Sequence, residues 1–155
     1  MITTDRLALP AWTDADLAAV AAGAHPDHWA EDFPAEGDRV IAGLLAHRPD
    51  WRGEFGHRLL VERATGLVVG SIGLFRPPVD GRLEIGYGVV PSRRGLGYAT
   101  EATRALAAHA LSAPDVTVVH AGVEPANPAS VRVLVKAGFT LVDAGAEVHR
   151  YEFTG

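Results

Sequence analysis

A glycine-punctuated turn is the part of this sequence whose residue types and spacing are best suited to chemistry. Arg93-Arg94-Gly95-Leu96-Gly97 separates the apolar pair Val89-Val90 from a run with helical spacing. The first N–H groups of a helix have no partner inside the helix, and together with the helix dipole they attract anions. Two arginines beside the turn add positive charge. The segment therefore predicts a binding site for a ligand that carries phosphate.

The strand predicted just before this turn has one nearly bare face. Alternation along Leu83 to Val90 places Glu84, Gly86 and Gly88 on one face and larger apolar side chains on the other. Two glycines at this spacing indicate the close approach of a backbone, a bulge or a ligand. A helix that packs tightly against this strand would also require two glycines at these positions. Because the strand leads directly into the anion-binding turn, we favour an extended ligand that lies along both.

The elements that must position these residues follow from periodicity, caps and turn residues. Three consecutive strands with short turns predict an antiparallel meander before the glycine turn. The order β-α-α-β-β-β-α-β-α-β-β predicts an α/β fold with one mixed sheet, in a single domain over residues 1–155. The predicted strands are Thr3 to Pro10, His57 to Arg63, Leu67 to Phe75, Leu83 to Val90, Val116 to Val123, Leu141 to Asp143 and Glu147 to Phe153, and the predicted helices are Thr13 to Ala22, Ala35 to His47, Ala99 to Ala110 and Pro128 to Ala137.

Composition excludes several classes of function. The chain has 155 residues, no cysteine and a formal net charge of −5. The absence of cysteine excludes a thiolate nucleophile, a disulfide framework and a Cys-ligated zinc site. The acidic balance argues against nucleic acid as a partner. The N-terminus does not resemble a secretory signal and no apolar run could span a bilayer, so we expect a cytoplasmic protein with no membrane partner.

Two other types of ligand site are less favoured. The pair His25-x-x-His28 is the only close histidine pair and lacks a third ligand at a suitable spacing, so we expect no metal. Gly95-x-Gly97 could belong to a dinucleotide-binding turn, but Thr100 stands where the third glycine is needed. The strand before the turn also follows two antiparallel strands and does not open a βαβ unit.

Two separated motifs carry a family resemblance. Arg94-Gly95-Leu96-Gly97-Tyr98-Ala99 matches the pattern [Gln/Arg]-x-x-Gly-x-[Gly/Ala], and Asn127-Pro128-Ala129-Ser130 is followed by Lys136-Ala137-Gly138-Phe139. In this order they resemble the acetyl-CoA site of the GNAT superfamily of N-acetyltransferases. With Thr4-Asp5-Arg6-Leu7 and Glu84-Ile85-Gly86-Tyr87 they are similar to the branch that acetylates ribosomal-protein N-termini. The similarity covers essentially the whole chain but is weak from His25 to Gly56.

The resemblance implies direct transfer of an acetyl group from acetyl-CoA to a primary amine through a tetrahedral intermediate. The acceptor would be a protein N-terminus or a small molecule, and superfamily members often form homodimers. Val89 and Val90 would pair their backbone with the pantetheine arm, and Arg93 or Arg94 would add charge. Asn127 would bond the pantetheine or the strand beside it. The pyrophosphate site would comprise Gly95, Leu96, Gly97, Tyr98, Ala99 and Thr100.

The same resemblance suggests catalytic roles, each with a structural alternative. Ser130 would protonate the departing thiolate, with a tyrosine as the alternative donor, although serine at a helix start also serves as a local hydrogen-bond partner. Glu84 is the leading candidate for the base, and its alternative is an exposed strand residue paired with Arg82 or another arginine. Glu124 and Tyr151 are weaker candidates for the base, since strand ends near the cleft could place them there, and Tyr151 could also contact the acceptor.

Trp29 and Phe33, which stand among acidic residues, could line the pocket for a cationic acceptor. Their alternative is a place in the core or as loop anchors. A domain that binds CoA without turnover, as a sensor or partner module, remains the alternative to an enzyme.

Overall fold

Alternating apolar residues form the strands of one mixed sheet, and four helices accompany it, of which α2, α3 and α4 are amphipathic. The computed structural model describes all of residues 1–155. None of its helices has the length and apolar character that crossing a membrane requires. The strands are β1 (Ile2–Thr3), β2 (Leu7–Leu9), β3 (His57–Glu62), β4 (Leu67–Val79), β5 (Arg82–Val89), β6 (Val118–Val123), β7 (Thr140–Ala144) and β8 (His149–Phe153), and the helices are α1 (Asp14–Ala22), α2 (Glu36–Leu45), α3 (Tyr98–Ala110) and α4 (Pro128–Lys136).

The strands form an eight-stranded sheet in the order β1-β2-β3-β4-β5-β6-β8-β7. The predicted mixed α/β architecture and the antiparallel meander β3-β4-β5 are confirmed. Only β5 and β6 pair in parallel, because α3 forms the crossover between them. The fold therefore has one position at which neighbouring strands run side by side in the same direction.

Two local predictions are corrected by turn geometry. The N-terminal strand predicted over Thr3 to Pro10 is two short strands, because a tight turn is closed by the Thr4 N–H, which donates to the Leu7 carbonyl at 2.8 Å. The loop predicted from Arg76 to Arg82 is mostly strand, since β4 continues to Val79. Asp80 and Gly81 have φ values of 53° and 76°, and they make a two-residue hairpin turn.

The parallel pair β5-β6 opens into a gap that faces the glycine turn. Pairing runs from Arg82 opposite Val118 to Glu84 opposite His120 and then stops, although β5 continues to Val89. Beyond Glu84 the β5 backbone therefore has no strand partner on its β6 side. This is the type of edge to which an extended chain can add main-chain hydrogen bonds.

Small residues allow α3 to pack closely on the sheet beside this gap. Ala102, Leu106 and Ala110 are fully buried in α3, and Leu83 and Ile85 of β5 are buried with them. Because side chains alternate along a strand, Glu84, Gly86 and Gly88 face the opposite side. One face of β5 is thus covered by α3, and the other face, which carries Glu84, Gly86 and Gly88, is not. The candidate site lies at this strand.

Candidate functional site

The predicted turn forms a helix N-terminus with free N–H groups. Gly95 and Gly97 have φ values of 77° and 84°, in the left-handed region that glycine adopts without strain. The Glu101 N–H donates to the Gly97 carbonyl at 3.1 Å, and no side chain caps Gly97. The N–H groups of the first residues of α3, Tyr98 to Thr100, therefore have no acceptor within the helix.

Arg6, at the start of the chain, holds the turn from outside. Its Nη1 donates to the Leu96 carbonyl at 2.6 Å, and its Nε donates to a Glu101 carboxylate oxygen at 2.8 Å. Its guanidinium also lies 4.7 Å from the centroid of the Tyr98 ring. Sequence reasoning missed this contact as a site feature because the partners are far apart in the chain.

Glu62 of β3 ties the turn to the sheet and separates the roles of the two neighbouring arginines. Its buried carboxylate accepts from Arg93 Nε at 2.9 Å and from the Tyr98 hydroxyl at 2.7 Å. Arg94 forms no ion pair, and its Nε donates to the Val89 carbonyl at 3.1 Å. The charge of Arg93 is therefore balanced within the protein, and that of Arg94 is available to a ligand.

We expect Glu62→Gln to destabilise the protein by about 1–3 kcal/mol at pH 7, because it weakens hydrogen bonds to a charged group. Burial raises the pKa of Glu62, but hydrogen bonds from Thr65, Tyr98 and Arg93 outweigh this effect and hold it below its usual value of 4.5. A lowered folded-state pKa stabilises the protein above the unfolded value and ceases to do so as the pH falls. Urea unfolding should therefore show a gap between variant and wild type at pH 7 that closes below about pH 4. A gap of equal size at both pH values would contradict this role.

A cavity of about 540 Å³, here called the turn cavity, extends from the glycine turn to α4. Its lining includes Arg94 and, from α4, Arg132 and Lys136, and it contains no acidic side chain. Neither α4 cation takes part in an ion pair. Sequence reasoning missed Arg132 and Lys136, although their i, i+4 spacing on the predicted helix indicated one positive face. The turn cavity suits a ligand with several negative charges.

Ser130 and Tyr87 are brought together at the inner end of the turn cavity. The Tyr87 hydroxyl donates to Ser130 Oγ at 3.0 Å, and both residues line the cavity. Burial raises the pKa of Tyr87, and the hydrogen bond to Ser130 opposes that rise only in part. Sequence analysis placed Tyr87 only on an apolar strand face, so its pairing with Ser130 is new information from the fold.

Asn127 has a structural role in addition to its place on the cavity wall. It is the N-cap of α4, and its Oδ1 accepts from the Ser130 N–H at 3.3 Å. This contact orients the first turn of α4 and with it Ser130. Asn127 therefore caps α4, and its exposed side chain also lines the turn cavity.

The expectation for Val90 is corrected, and that for Val89 is retained. The Val90 N–H donates to the Val69 carbonyl at 2.9 Å, and the Val90 carbonyl accepts from the Arg93 N–H at 3.0 Å. Both of its backbone groups are used within the protein. Because adjacent residues in a strand direct these groups to opposite sides, those of Val89 point toward the gap beside β6.

A second cavity of about 460 Å³, here called the α2 cavity, lies on the other face of β5. Its walls come from α2 and from β3, β4 and β5, and Gly88 lies on its floor. A Cβ added at Gly88 would meet no atom within 4 Å, whereas one at Gly86 would lie 3.0 Å from the Phe75 ring. The bare strand face therefore accommodates an aromatic side chain at Gly86 and leaves open space at Gly88.

The two cavities meet at the end of β5. Tyr87, Gly88, Val89 and Arg94 line both of them. Tyr87 extends toward α4 on one face, and Gly88 opens toward α2 on the other. A group held at this junction can be approached from the α2 side while its leaving group departs toward Ser130.

Trp29 and Phe33 are core residues, which corrects their expected place in an acceptor pocket. They are 2% and 1% exposed, and their ring centroids lie 5.1 Å apart. Their loop is fastened to β4, because the Ala30 N–H donates to the Val68 carbonyl at 2.9 Å. Large apolar rings beside a sheet are stabilised by burial more than by lining an open pocket.

The remaining candidates lie outside both cavities. Tyr151, in β8, is 5% exposed and belongs to the hydrophobic core, which corrects its placement near the acceptor. Glu124 is exposed just beyond β6. Glu84 is exposed, forms no ion pair with Arg82 and lies beside His120 at the point where β5 and β6 separate. Glu84 as the base stays a prediction.

Comparison with solved structures finds the same architecture in acetyltransferases. A GNAT-family acetyltransferase from Bacillus anthracis superposes with a TM-score of 0.69 at 20% identity, covering 99% of this chain and 97% of that one. A Vibrio cholerae protein described as a proposed ribosomal-protein-serine acetyltransferase gives 0.71 at 16% identity over 99% and 97%. The dodecameric spermidine N-acetyltransferase of Vibrio cholerae gives 0.68 at 16% identity over 97% and 95%. At sequence identities of 16–20%, these comparisons establish similarity of fold only.

The family itself is shown by sequence. No curated protein matches the chain. Residues 6–140, however, match the family described as the acetyltransferase (GNAT) domain. This range contains the glycine turn, the open strand edge and Ser130. Because the match covers most of the chain, the protein belongs to the GNAT family and is an acetyl-CoA-dependent N-acetyltransferase.

Proposed function

We propose that this protein transfers the acetyl group of acetyl-CoA to a primary amine that approaches through the α2 cavity. The observation that carries the proposal is the junction at which the turn cavity and the α2 cavity meet on opposite faces of β5. Such an arrangement holds donor and acceptor on either side of one reacting carbon. Alignment of this kind accounts for a large share of the barrier reduction in bimolecular transfers.

The turn cavity supplies what the donor needs. The pyrophosphate would accept hydrogen bonds from the N–H groups of Tyr98, Ala99 and Thr100, with Arg94 and the α4 cations nearby. The pantetheine arm would accept from the Val89 N–H at the open edge of β5, since the Val89 carbonyl accepts from Arg94 Nε. A strand N–H aimed at the thioester carbonyl would stabilise the negative charge that develops there, an effect typically of about 10²–10³-fold in rate.

Ser130 and Tyr87 would complete the transfer on the α4 side. The amine nitrogen forms a bond to the acetyl carbon, the carbon–sulfur bond breaks, and Ser130 gives its proton to the thiolate. The Tyr87 hydroxyl, which already donates to Ser130 Oγ, would replace that proton. An amine that binds as ammonium loses one proton before its nitrogen can attack and a second as the amide forms, so a base is needed on the α2 side.

We expect Glu84→Gln to lower kcat/KM by about 10²-fold at pH 7 if Glu84 is that base. The exposed carboxylate lies where β5 and β6 separate, so it would act through a water molecule. The pH–rate profile of the variant should lose its acidic limb, while the Kd of acetyl-CoA stays constant. Glu147→Gln is the matched control, since Glu147 is also an exposed carboxylate and lies outside both cavities. A wild-type profile for Glu84→Gln would refute the assignment.

The proposed function is tested by an acceptor screen in which CoA release is measured by thiol titration. The panel should contain alkylamines and arylalkylamines, polyamines, free amino acids, and peptides that begin with serine or alanine. Such peptides belong in it because Thr4 to Leu7 resembles the branch that acts on ribosomal-protein N-termini. Amine-dependent thiol release, with the acetyl group recovered on the amine, is the expected result. CoA binding without release on any amine would instead favour a CoA-binding sensor.

A further inference from the structure

A buried carboxylate without a cationic partner lies in the α2 cavity. Asp38, in the first turn of α2, is 4% exposed and lines the cavity. Its Oδ1 accepts from the Ser71 hydroxyl and its Oδ2 accepts from the Ala35 N–H at 2.9 Å. It forms no ion pair. Burial raises the pKa of Asp38, and the hydrogen bonds from Ser71 and Ala35 oppose that rise only in part, so a cationic ligand in the cavity would stabilise the charged carboxylate.

Asp38 is also close to the junction of the two cavities. Ser71, which holds its carboxylate, lies directly opposite Gly88 in the β4-β5 register. Gly88 has no side chain and borders open space. A cation bound by Asp38 would therefore lie over the strand segment against which we propose that the acetyl group is held.

The other ionisable side chains of the α2 cavity do not cancel the negative charge of Asp38. Asp38 is the only acidic residue in the cavity lining, and Arg94, at the junction, is the only formally cationic one. Burial lowers the pKa of His57 to about 4, so its ring is uncharged near neutral pH and does not repel an ammonium group. His57 is 2% exposed, lines the cavity, and has no partner for its Nε2.

The rest of the wall is apolar. Ile41 from α2 and Phe75 from β4 provide aliphatic and aromatic surface, whereas Ile72, opposite Tyr87 in the β4-β5 register, contributes its backbone and directs its side chain to the other face of the sheet. Apart from Ser71, His57 and Arg94, the side chains of the lining offer no group suited to pair a second charge or a neighbouring amide of the acceptor, and Arg94 lies at the junction, where the proposed donor phosphates take up its charge. A ligand that brought such a group into the cavity would leave it unpaired at a considerable cost.

We propose that Asp38 is a specificity-determining residue that binds the ammonium group of the acceptor and selects small primary monoamines with an apolar substituent. The inference rests on the proposed function, because it names the acceptor class of the same site. The volume of about 460 Å³ is in the range of small-molecule sites. The apolar substituent lies against Ile41 and Phe75. Polyamines carry additional charges, and amino acids carry a carboxylate for which the only cation of the lining, Arg94, is already occupied by the donor, so the cavity rejects both.

Binding to the enzyme saturated with CoA tests the proposal without turnover, because no acetyl group is present. Calorimetric titration with phenethylamine and with the matching alcohol, 2-phenylethanol, measures the contribution of the ammonium group. We expect the amine to bind at least about tenfold more tightly than the alcohol in the wild type. We expect Asp38→Asn to abolish this preference while the Kd of CoA stays unchanged. The amide can still accept from Ala35, and the Ser71 hydroxyl can turn to accept from it, so the fold is retained.

Glu36→Gln is the matched control, since Glu36 is an exposed carboxylate in the same turn of α2 and does not line the cavity. It should keep the preference for the amine. An equal preference in wild type and Asp38→Asn would overturn the proposal. If Asp38→Asn fails to bind CoA, the proposal is tested on the wild type alone. Tighter binding of spermidine, phenylalanine or an N-terminal peptide than of phenethylamine to the wild type would also overturn the proposal. Failure of the wild type to bind CoA would instead refute the proposed function.

Discussion

Replacing Gly88 by valine is expected to reduce acetyl transfer by about 10²-fold or more while leaving the fold and the donor site in place. Gly88 lies on the floor of the α2 cavity and at its junction with the turn cavity. A Cβ at this position meets no atom within 4 Å, so the new side chain enters space that the structure leaves open. Valine also favours the strand conformation. The substitution therefore blocks the approach of the amine and does not strain the backbone.

Steady-state kinetics and urea unfolding separate these effects. For Gly88→Val we expect a large fall in kcat/KM for the amine, a change of less than about threefold in the Kd of CoA, and no loss of stability beyond about 0.5 kcal/mol. Gly88→Ala should give a smaller kinetic effect. Gly53→Val is the control, because Gly53 has an extended backbone, ordinary contacts and no place in either cavity. Full activity in Gly88→Val would show that the amine does not pass over this strand.

The second large effect is expected at Ser130. Ser130→Ala should lower kcat by about 10²-fold, because the departing thiolate loses its proton donor, and should leave the Kd of acetyl-CoA nearly constant. Tyr87→Phe should give a fall of similar direction, since its hydroxyl donates to Ser130 Oγ at 3.0 Å. The double variant should be little worse than Ser130→Ala, because residues that act in one relay are not additive.

Single-turnover measurement of thiol release distinguishes this role from a structural one. Ser112→Ala is the control, since Ser112 is exposed just after α3 and lies outside both cavities. It should behave as wild type. An unaltered kcat in Ser130→Ala, or a loss fully explained by weaker acetyl-CoA binding, would remove the proton-donor role.

The parts of the site that could be predicted from sequence are those with local causes. Gly95 and Gly97 are needed for backbone conformations that other residues adopt only with strain, and the helix start follows them directly. Asn127 and Ser130 belong to one helix turn, so their proximity depends only on helix geometry. Strand alternation placed Gly88 on the bare face for the same reason.

The parts that could not be predicted depend on packing between distant segments. Asp38 enters the site only because α2 packs over β4, where Ser71 holds its carboxylate. The contact of Tyr87 with Ser130 requires α4 to return beside β5. Trp29 was misplaced because its acidic neighbours indicated an exposed loop, whereas pairing with Val68 brings the loop onto the sheet. Local pattern does not show such long-range contacts.

Calorimetric titration of the wild-type protein with acetyl-CoA, followed by addition of phenethylamine, tests the central claim most directly. The claim is that one cavity binds the donor through its phosphates and that a second cavity delivers the amine to the junction at Gly88. We predict saturable acetyl-CoA binding that is weakened by Arg94→Ala, no binding of NAD, and thiol release on addition of the amine. Binding of NAD but not of acetyl-CoA, or acetyl-CoA binding unaffected by Arg94→Ala and followed by no release, would contradict the account.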